Sequence, residues 1–268
     1  MSYEALFHSF THIQPIGAGR IVELFRAVDR LTGRAVFLKV LKSGAADPAE
    51  RARFFRGAEL QSRVRHPNVL PVSDLLTEAD TAAIVLPFVP GGTLQDALPV
   101  GTGLAFPLAA AYGRDLCAGV RAIHACGIVH GDLKPLNLLI DAENRLRISD
   151  FGEARRIDDP RPAAPSSIVN GSPYYMAPEC ARGYPPVPAS DWYSVGAILY
   201  RTICGRTVFE GQDAETVMRA QVNETPPDPI RFRPDLPGQL AESILILLSK
   251  DPAPRLKAAE RLDRILAG

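Results

Sequence analysis

The chain has 268 residues, of which 46% are hydrophobic and 22% are charged, and it is long enough for one large domain or one domain of two lobes. Thirty basic and thirty acidic side chains leave no formal net charge, which argues against nucleic acid or an anionic membrane as a partner. We find no signal-peptide pattern and no run of about 18 apolar residues, so we expect no membrane segment in this chain. The four cysteines lack a Cys-x-x-Cys pair, which favours reduced core thiols and a cytoplasmic location.

The first third of the chain is predicted to consist mainly of β-strands. A hairpin-like pair around glycines spans 13–28, an apolar run forms a third strand at 34–41, and a further strand follows at 81–89. Alternation in the third strand places Phe37 and Lys39 on one face. A lysine among apolar neighbours needs an anionic partner or access to water.

One helix interrupts these strands. Asp47 suits the N-cap position, Pro48 suits the first helical position, and Glu50 completes a capping box. The helix is predicted to continue to about Arg65, where the sequence His-Pro-Asn ends it.

After residue 89 the pattern becomes helical. A connector rich in proline and glycine, 86–92, is the predicted boundary between a β-rich part and a helical part. This order predicts an α+β fold with a cleft between two lobes, which is a natural place for a ligand. Buried or amphipathic helices are predicted at 107–126, 191–204, 239–250 and 255–266.

Short motifs then follow one another in a specific order. They are "GAGRIV" (17–22), "VFLK" (36–39), "HGDLKPLN" (130–137), "DFG" (150–152), "APE" (177–179) and "DWYSVG" (191–196). This ordered set resembles the eukaryotic-like (Hanks-type) Ser/Thr protein kinase family, over residues 13–266. The resemblance implies one bilobal kinase-like domain, with a small β-rich N-terminal lobe at 1–89 that carries one main helix and a larger, mainly helical C-terminal lobe at 90–268.

The resemblance also implies roles for individual residues, since phosphoryl transfer depends on positioning and charge neutralisation. Asp132 would accept or orient the proton of the substrate hydroxyl, and Lys134 would stabilise the γ-phosphoryl group. Asn137 and Asp150 would supply oxygen ligands to Mg²⁺. Lys39 would hold the α- and β-phosphates of ATP.

The implied adenine pocket lies between the lobes. Adenine would meet backbone groups of the connector, namely the carbonyl of Pro87 and the N–H of Val89, and a proline is tolerable where only its carbonyl is used. The remaining nucleotide contacts implied by the resemblance are Gly17, Gly19, Leu24, Phe37, Leu86 and Leu139.

Other segments bear on substrate and regulation. The stretch "GSPYYMAPE" (171–179) resembles the segment that receives a peptide, which implies a protein substrate or partner. Ser166 and Ser167 are candidate phosphorylation sites, and ordinary loop serines are an equally good interpretation. Asp191 is expected to brace the catalytic loop, and Glu179 with Arg255 is expected to form a buried structural ion pair.

The sequence departs from the family pattern at four positions. Val22 replaces the third glycine of the loop, and Gly131 replaces an arginine that commonly receives an activating phosphate. Gly57 occupies the position of the helix glutamate that usually pairs with the lysine. Glu59 should point about 200° away from that position, and Glu50 should lie roughly 10 Å along the helix from it.

Phe37 is the fourth departure, because a small residue usually packs on adenine there. Its ring faces the cleft, where it would either fill the adenine site or bend aside and stack on the base. Two hypotheses follow: an active Ser/Thr protein kinase, fast or slow, and a pseudokinase that acts as a binding or regulatory module. A small-molecule phosphotransferase is disfavoured by "APE" and "GSPYYM".

Overall fold

A computed structural model describes residues 7–42, 44, 47–78, 81–160 and 171–267. The first part of the chain forms an antiparallel sheet with the strand order β1-β2-β3-β5-β4. Its strands are β1 (Phe10–Ala18), β2 (Val22–Asp29), β3 (Ala35–Leu41), β4 (Asp74–Glu78) and β5 (Thr81–Pro87).

The two faces of β3 have different surroundings, as its alternating sequence predicts. Val36, Leu38 and Val40 are buried in one apolar cluster of the sheet. Leu41 belongs to a second cluster, against which Phe37 also packs. Lys39 therefore emerges on the face that the connector and the following helix share.

Helix α1 (Pro48–Ser62) begins as predicted and ends early. Glu50 N–H donates to the Asp47 side chain, and the Glu50 carboxylate accepts the Asp47 N–H at 3.1 Å, which completes the capping box. The helix was predicted to reach Arg65, but it ends three residues sooner. The chain turns back there, and Gln61 Nε2 donates to the Leu70 carbonyl at 2.8 Å, which fixes the turn against the helix.

Within the sheet, one strand, β4, was not predicted from the sequence. Four of its five residues are exposed, so it lacks the regular apolar alternation by which a half-buried strand is recognised. It pairs with β5, which supplies the buried residues of that edge.

The remainder of the chain is mainly helical. Its helices are α2 (Leu94–Ala97), α3 (Phe106–Ala125), α4 (Pro178–Ala181), α5 (Pro188–Cys204), α6 (Ala214–Asn223), α7 (Gly238–Leu247) and α8 (Ala253–Ala267). Helix α5 is buried along almost its whole length, and α3, α7 and α8 pack around it. Four short strands flank the loops that face the sheet. They are β6 (Ile128–Val129), β7 (Leu138–Ile140), β8 (Leu146–Ile148) and β9 (Arg155–Arg156).

The expected ion pair lies inside this helical part. Arg255 is fully buried, and its two terminal nitrogens donate to the two carboxylate oxygens of Glu179 at 2.8 and 3.0 Å. Burial would raise the pKa of Glu179, but these bonds and the charge of Arg255 hold that pKa below its ordinary value. The pair joins α4 to the start of α8.

Two expectations about the whole chain can be compared with the fold. None of the helices in the part of the chain described has the length and apolar character needed to cross a membrane. The cysteines are free, and Cys117 and Cys204 are buried as expected. Cys126 is exposed, because it caps the C-terminal end of α3, so the prediction of a core thiol is wrong there.

Candidate active site

One buried carboxylate, that of Asp191, binds the backbone at the start of the loop 130–137. Asp191, in the first turn of α5, accepts the backbone N–H groups of His130 and Gly131, each at 2.9 Å, and pairs with His124 Nε2 at 2.8 Å. Burial would raise the pKa of Asp191, but the hydrogen bond and charge of His124 lower it, so the carboxylate is ionised. The expected bracing of the loop is thus present.

Asp132 presents its carboxylate at the open end of this loop. Lys134 Nζ donates to Oδ2 at 2.6 Å, and Asn137 Nδ2 donates to the same oxygen at 3.3 Å. The backbone N–H of Ser172 donates to Oδ1 at 3.3 Å. The other two predicted catalytic residues therefore contact the Asp132 carboxylate, and so does the chain segment expected to receive a peptide.

Lys39 has an anionic partner on the opposite side of the cleft. Its ammonium donates to Asp150 Oδ1 at 2.7 Å, across 111 residues of sequence. Burial would raise the pKa of Asp150, but the positive charge and hydrogen bond of Lys39 bring the net pKa below its ordinary value. Asp150 is therefore a charged carboxylate at neutral pH.

The backbone at Asp150 adopts a conformation that side chains other than glycine rarely take. Its φ is +62°, in the left-handed region, where aspartate and asparagine are tolerated best. The following Phe151 is buried and packs edge-to-face on His130, with ring centroids 4.9 Å apart. His130 is thus a packing residue, as expected, and its Nε2 lies 3.0 Å from the Ser149 carbonyl.

One cavity joins these groups. It has a volume of about 290 Å³, and its lining includes Lys39, Asp132, Asp150 and Glu50. The sequence places these four residues in four separate segments, and the fold brings them around a single space.

A larger cavity of about 520 Å³ lies beside it, under the sheet. Neither Gly17, Gly19 nor Pro87 is part of its lining, whereas Ile16 and Phe88 are, although the sequence analysis did not select them. Ile16 could have been selected from the sequence, because it is an apolar residue of a predicted strand and lies directly before Gly17. The predicted residues that line this cavity are Leu24, Phe37, Lys39, Leu86, Val89, Asn137, Leu139 and Asp150.

Phe37 lies at the wall of this cavity. Its ring packs on Phe88 with the centroids 4.9 Å apart, and the guanidinium of Arg26 lies 4.5 Å from the centre of the Phe88 ring on the outer side. The ring thus contacts the connector between the lobes and forms part of the cavity wall, and the cavity has open volume beside it.

Comparison with known proteins gives the same assignment as the motifs. The sequence model of the protein kinase domain matches residues 10–265, which is almost the whole chain. The chain belongs to the protein kinase family. The predicted bilobal α+β kinase fold is confirmed by this match together with the sheet and helices described above.

Several curated bacterial kinases are similar to this kinase domain. It is 36% identical over 252 residues to the DNA damage-responsive serine/threonine-protein kinase RqkA of Deinococcus radiodurans, covering 91% of this chain and 37% of that protein. It is 35% identical over 249 residues to the serine/threonine-protein kinase PknA of Mycobacterium tuberculosis, covering 91% of this chain and 57% of that protein. A probable serine/threonine-protein kinase of Corynebacterium efficiens is 33% identical, with 92% of this chain and 39% of that protein covered. The kinase domain thus spans between about a third and three-fifths of these relatives.

Gly57 brings helix α1 into close contact with the backbone of the "DFG" segment. A Cβ atom at this position would lie 2.6 Å from the Phe151 carbonyl oxygen and 3.0 Å from its carbon. Real Cβ atoms essentially never come this close to backbone, so α1 packs on the "DFG" segment through bare main chain. The missing glutamate has a structural reason: in this arrangement no side chain fits at residue 57.

Glu50 pairs with Arg20 and not with Lys39. It is buried, and its carboxylate pairs with Arg20 of the glycine-rich loop while also capping α1. Glu59 points away from the cleft, as expected, and pairs with Arg63 at 2.6 Å. The acidic residue of α1, Glu50, therefore binds the glycine-rich loop through Arg20 and does not bind Lys39.

Gly131 and the two serines Ser166 and Ser167 are the positions that bear on regulation. Gly131 has a φ of +79°, and a Cβ there would lie 2.9 Å from both the Glu153 carbonyl and Pro186. A side chain at this position would therefore be strained and would press on Glu153 and Pro186. Ser166 and Ser167 lie outside the described residues.

Proposed function

We propose that this kinase domain is an active Ser/Thr protein kinase, which transfers the γ-phosphoryl group of ATP to a serine or threonine hydroxyl of a protein substrate. The observation that carries the proposal is the single cavity that brings Lys39, Asp132 and Asp150 together. The similarity to bacterial serine/threonine-protein kinases over 91% of the chain supports it.

The residues present suit a magnesium nucleotide. Among the described residues no group of three or more His, Cys, Asp or Glu side chains could hold a metal alone. Asn137 turns its Nδ2 to Asp132, which leaves its Oδ1 for a ligand, and Lys39 occupies only one oxygen of Asp150. Two such oxygens suit Mg²⁺, which usually keeps waters and phosphate oxygens as its other ligands.

The proposed roles follow from these positions. Bound ATP with Mg²⁺ would supply the phosphoryl group and neutralise charge on the phosphates. Asn137 and Asp150 would hold the metal, and Lys39 would hold the α- and β-phosphates. The substrate oxygen would attack the γ-phosphorus as the bond from this phosphorus to the β-phosphate oxygen breaks and ADP leaves. The hydroxyl proton would pass to Asp132, while Lys134 would stabilise the negative charge on the transferred group.

The pseudokinase alternative required an occluded or weakened nucleotide site. The open cavity of about 520 Å³ beside Phe37 argues against occlusion. Gly57 leaves Lys39 without a helix glutamate, but Asp150 pairs with Lys39 in its place. These contacts support nucleotide binding, with phosphoryl transfer at a full or a reduced rate.

Nucleotide binding is the first test. At a free concentration about 100 times its Kd, Mg²⁺-ATP should stabilise the protein by about 2.7 kcal/mol and raise its Tm by about 5–10 °C. Asp150→Asn should lose this shift, because asparagine tolerates the left-handed backbone but lacks the charge. Asp235→Asn, at an exposed ion pair far from the cleft, is the matched control and should keep the shift. No shift in the unmodified protein at millimolar Mg²⁺-ATP would contradict the proposal.

Phe37→Ala tests whether the ring is part of the pocket wall. Because the ring packs on Phe88 and the cavity is open beside it, its removal should leave the Kd for ATP unchanged or weaken binding by up to about tenfold. Calorimetry on both proteins would measure the difference. Tighter binding by Phe37→Ala would mean that the ring obstructs the base.

A further inference from the structure

A separate cavity opens on the other side of the catalytic carboxylate. It has a volume of about 300 Å³, and its lining includes Lys134, Leu136, Ser172, Tyr174 and Arg201. Lys134 donates to Asp132 Oδ2 at 2.6 Å, and the Ser172 N–H donates to Oδ1 of the same carboxylate. This space, which we call the flanking cavity, therefore begins where a phosphoacceptor hydroxyl would have to lie.

The charges around the flanking cavity have one sign. Lys134 and Arg201 are the charged side chains of its lining, and both are cations. Lys134 is paired with Asp132, but Arg201 forms no ion pair with a described residue. Its Nη2 donates to the Pro99 carbonyl at 3.2 Å, and its Nη1 is buried without a hydrogen-bond partner in the described part of the chain.

An unpaired, partly buried guanidinium is energetically unfavourable. Burial removes water from the group, and a backbone carbonyl compensates for only a fraction of that loss. A carboxylate would compensate more fully, because its two oxygens match the planar fork of arginine. A small rotation of the guanidinium toward the cavity would present it to such a group.

The rim of the flanking cavity is apolar and open. Leu136 is 55% exposed and Tyr174 is 36% exposed, and each lies one or two residues from a group that contacts Asp132. Exposed apolar side chains beside a catalytic group are surfaces that a bound chain can cover.

We propose that the flanking cavity selects protein substrates with an aspartate or glutamate within about three residues of the phosphoacceptor, and that Arg201 binds this carboxylate. The inference rests on the proposed function, because it names the substrate class of the same site. It concerns a specificity-determining residue, and Arg201 takes no part in the transfer of the phosphoryl group.

A peptide scan tests the proposal. Serine peptides of neutral sequence would carry a single glutamate at each of the three positions on either side of the serine, with the matching glutamine peptide for each. At one position or more, kcat/KM should be at least tenfold higher for glutamate. In Arg201→Gln this ratio should fall to about 1, and in Arg201→Glu the same position should prefer lysine.

Matched variants separate charge from folding. Arg201→Lys keeps the charge and should retain part of the preference, whereas Arg219→Gln removes an exposed arginine of α6 and should leave the ratio unchanged. Melting temperatures of all variants would show which of them are folded. An equal ratio for the unmodified protein and Arg201→Gln, with both folded, would overturn the proposal.

A binding measurement separates this inference from the proposed function. Fluorescence anisotropy of the labelled peptides reports binding without phosphoryl transfer. Glutamate-dependent binding that Arg201→Gln removes, with no transfer to any peptide, would overturn the proposed kinase activity and leave the flanking cavity as a binding site. Transfer to peptides without any glutamate preference would overturn only the inference about Arg201.

Discussion

Asp132→Asn should lower the rate of phosphoryl transfer by about a thousandfold or more while leaving Mg²⁺-ATP binding almost unchanged. The carboxylate accepts bonds from Lys134, Asn137 and the Ser172 N–H, so its oxygens are fixed in place. Asparagine has the same size, but its NH₂ group would face one of these donors, and it cannot take a proton from a hydroxyl. Loss of a positioned general base typically costs 10²–10⁴ in rate, and the disturbed donors add to this.

The measurement is transfer of labelled phosphate from ATP to a generic protein, together with the Tm shift on nucleotide binding. Asp235→Asn, which changes an exposed aspartate in the same way, should keep both. If Asp132→Asn transferred phosphate at the rate of the unmodified protein, the assignment of Asp132 would be wrong. If nucleotide bound and neither protein transferred phosphate, the domain would be a nucleotide-binding module.

Gly57→Ala should destabilise the protein, although alanine is normally the better helix residue by about 1 kcal/mol. The added Cβ would lie 2.6 Å from the Phe151 carbonyl oxygen, so either α1 or the "DFG" backbone has to move. Overpacking of this kind costs about 1–3 kcal/mol, which leaves a net loss near 1 kcal/mol and a fall in Tm of a few degrees. Since Phe151 follows Asp150, we also expect kcat to fall by tenfold or more.

Gly57→Glu carries the argument further, because it introduces the residue typical of the family. It should fail to restore a lysine–glutamate pair and should be less stable than Gly57→Ala. Gly238→Ala is the matched control: a Cβ at that helix start meets nothing within 4 Å, so Tm should stay level or rise. A gain in both stability and activity for Gly57→Glu would show that the close packing of α1 is not the working arrangement.

The catalytic centre could be predicted from the sequence because its residues lie in short motifs with fixed spacing. Asp132, Lys134 and Asn137 occur within six residues, so the turn that brings them together is local. The third strand could also be predicted, since its alternation assigns Lys39 to one face and Val40 to the other. The roles of these residues in catalysis remain predictions until the variants are measured.

The remaining features depend on contacts that no local pattern encodes. Whether the Phe37 ring fills the adenine site depends on its rotamer and on Phe88, a residue 51 positions away. The sequence marked Gly57 as a missing side chain, but only the fold shows that Phe151 occupies the space. The sequence likewise does not show that Arg201 lines the same cavity as Lys134 and Ser172, because these residues lie far apart in the chain.

The pair formed by Arg20 and Glu50 joins two parts that would otherwise move separately. Glu50 accepts the Asp47 N–H in the capping box and binds the loop arginine with the same carboxylate. If the glycine-rich loop moves to admit or release a nucleotide, the ion pair between Arg20 and Glu50 must break. The capping bonds between Asp47 and Glu50 would remain, but the first turn of α1 would no longer be bound to the loop. Opening of the glycine-rich loop and loosening of the first turn of α1 are thereby linked, so ligand exchange in this domain is expected to change the mobility of that turn.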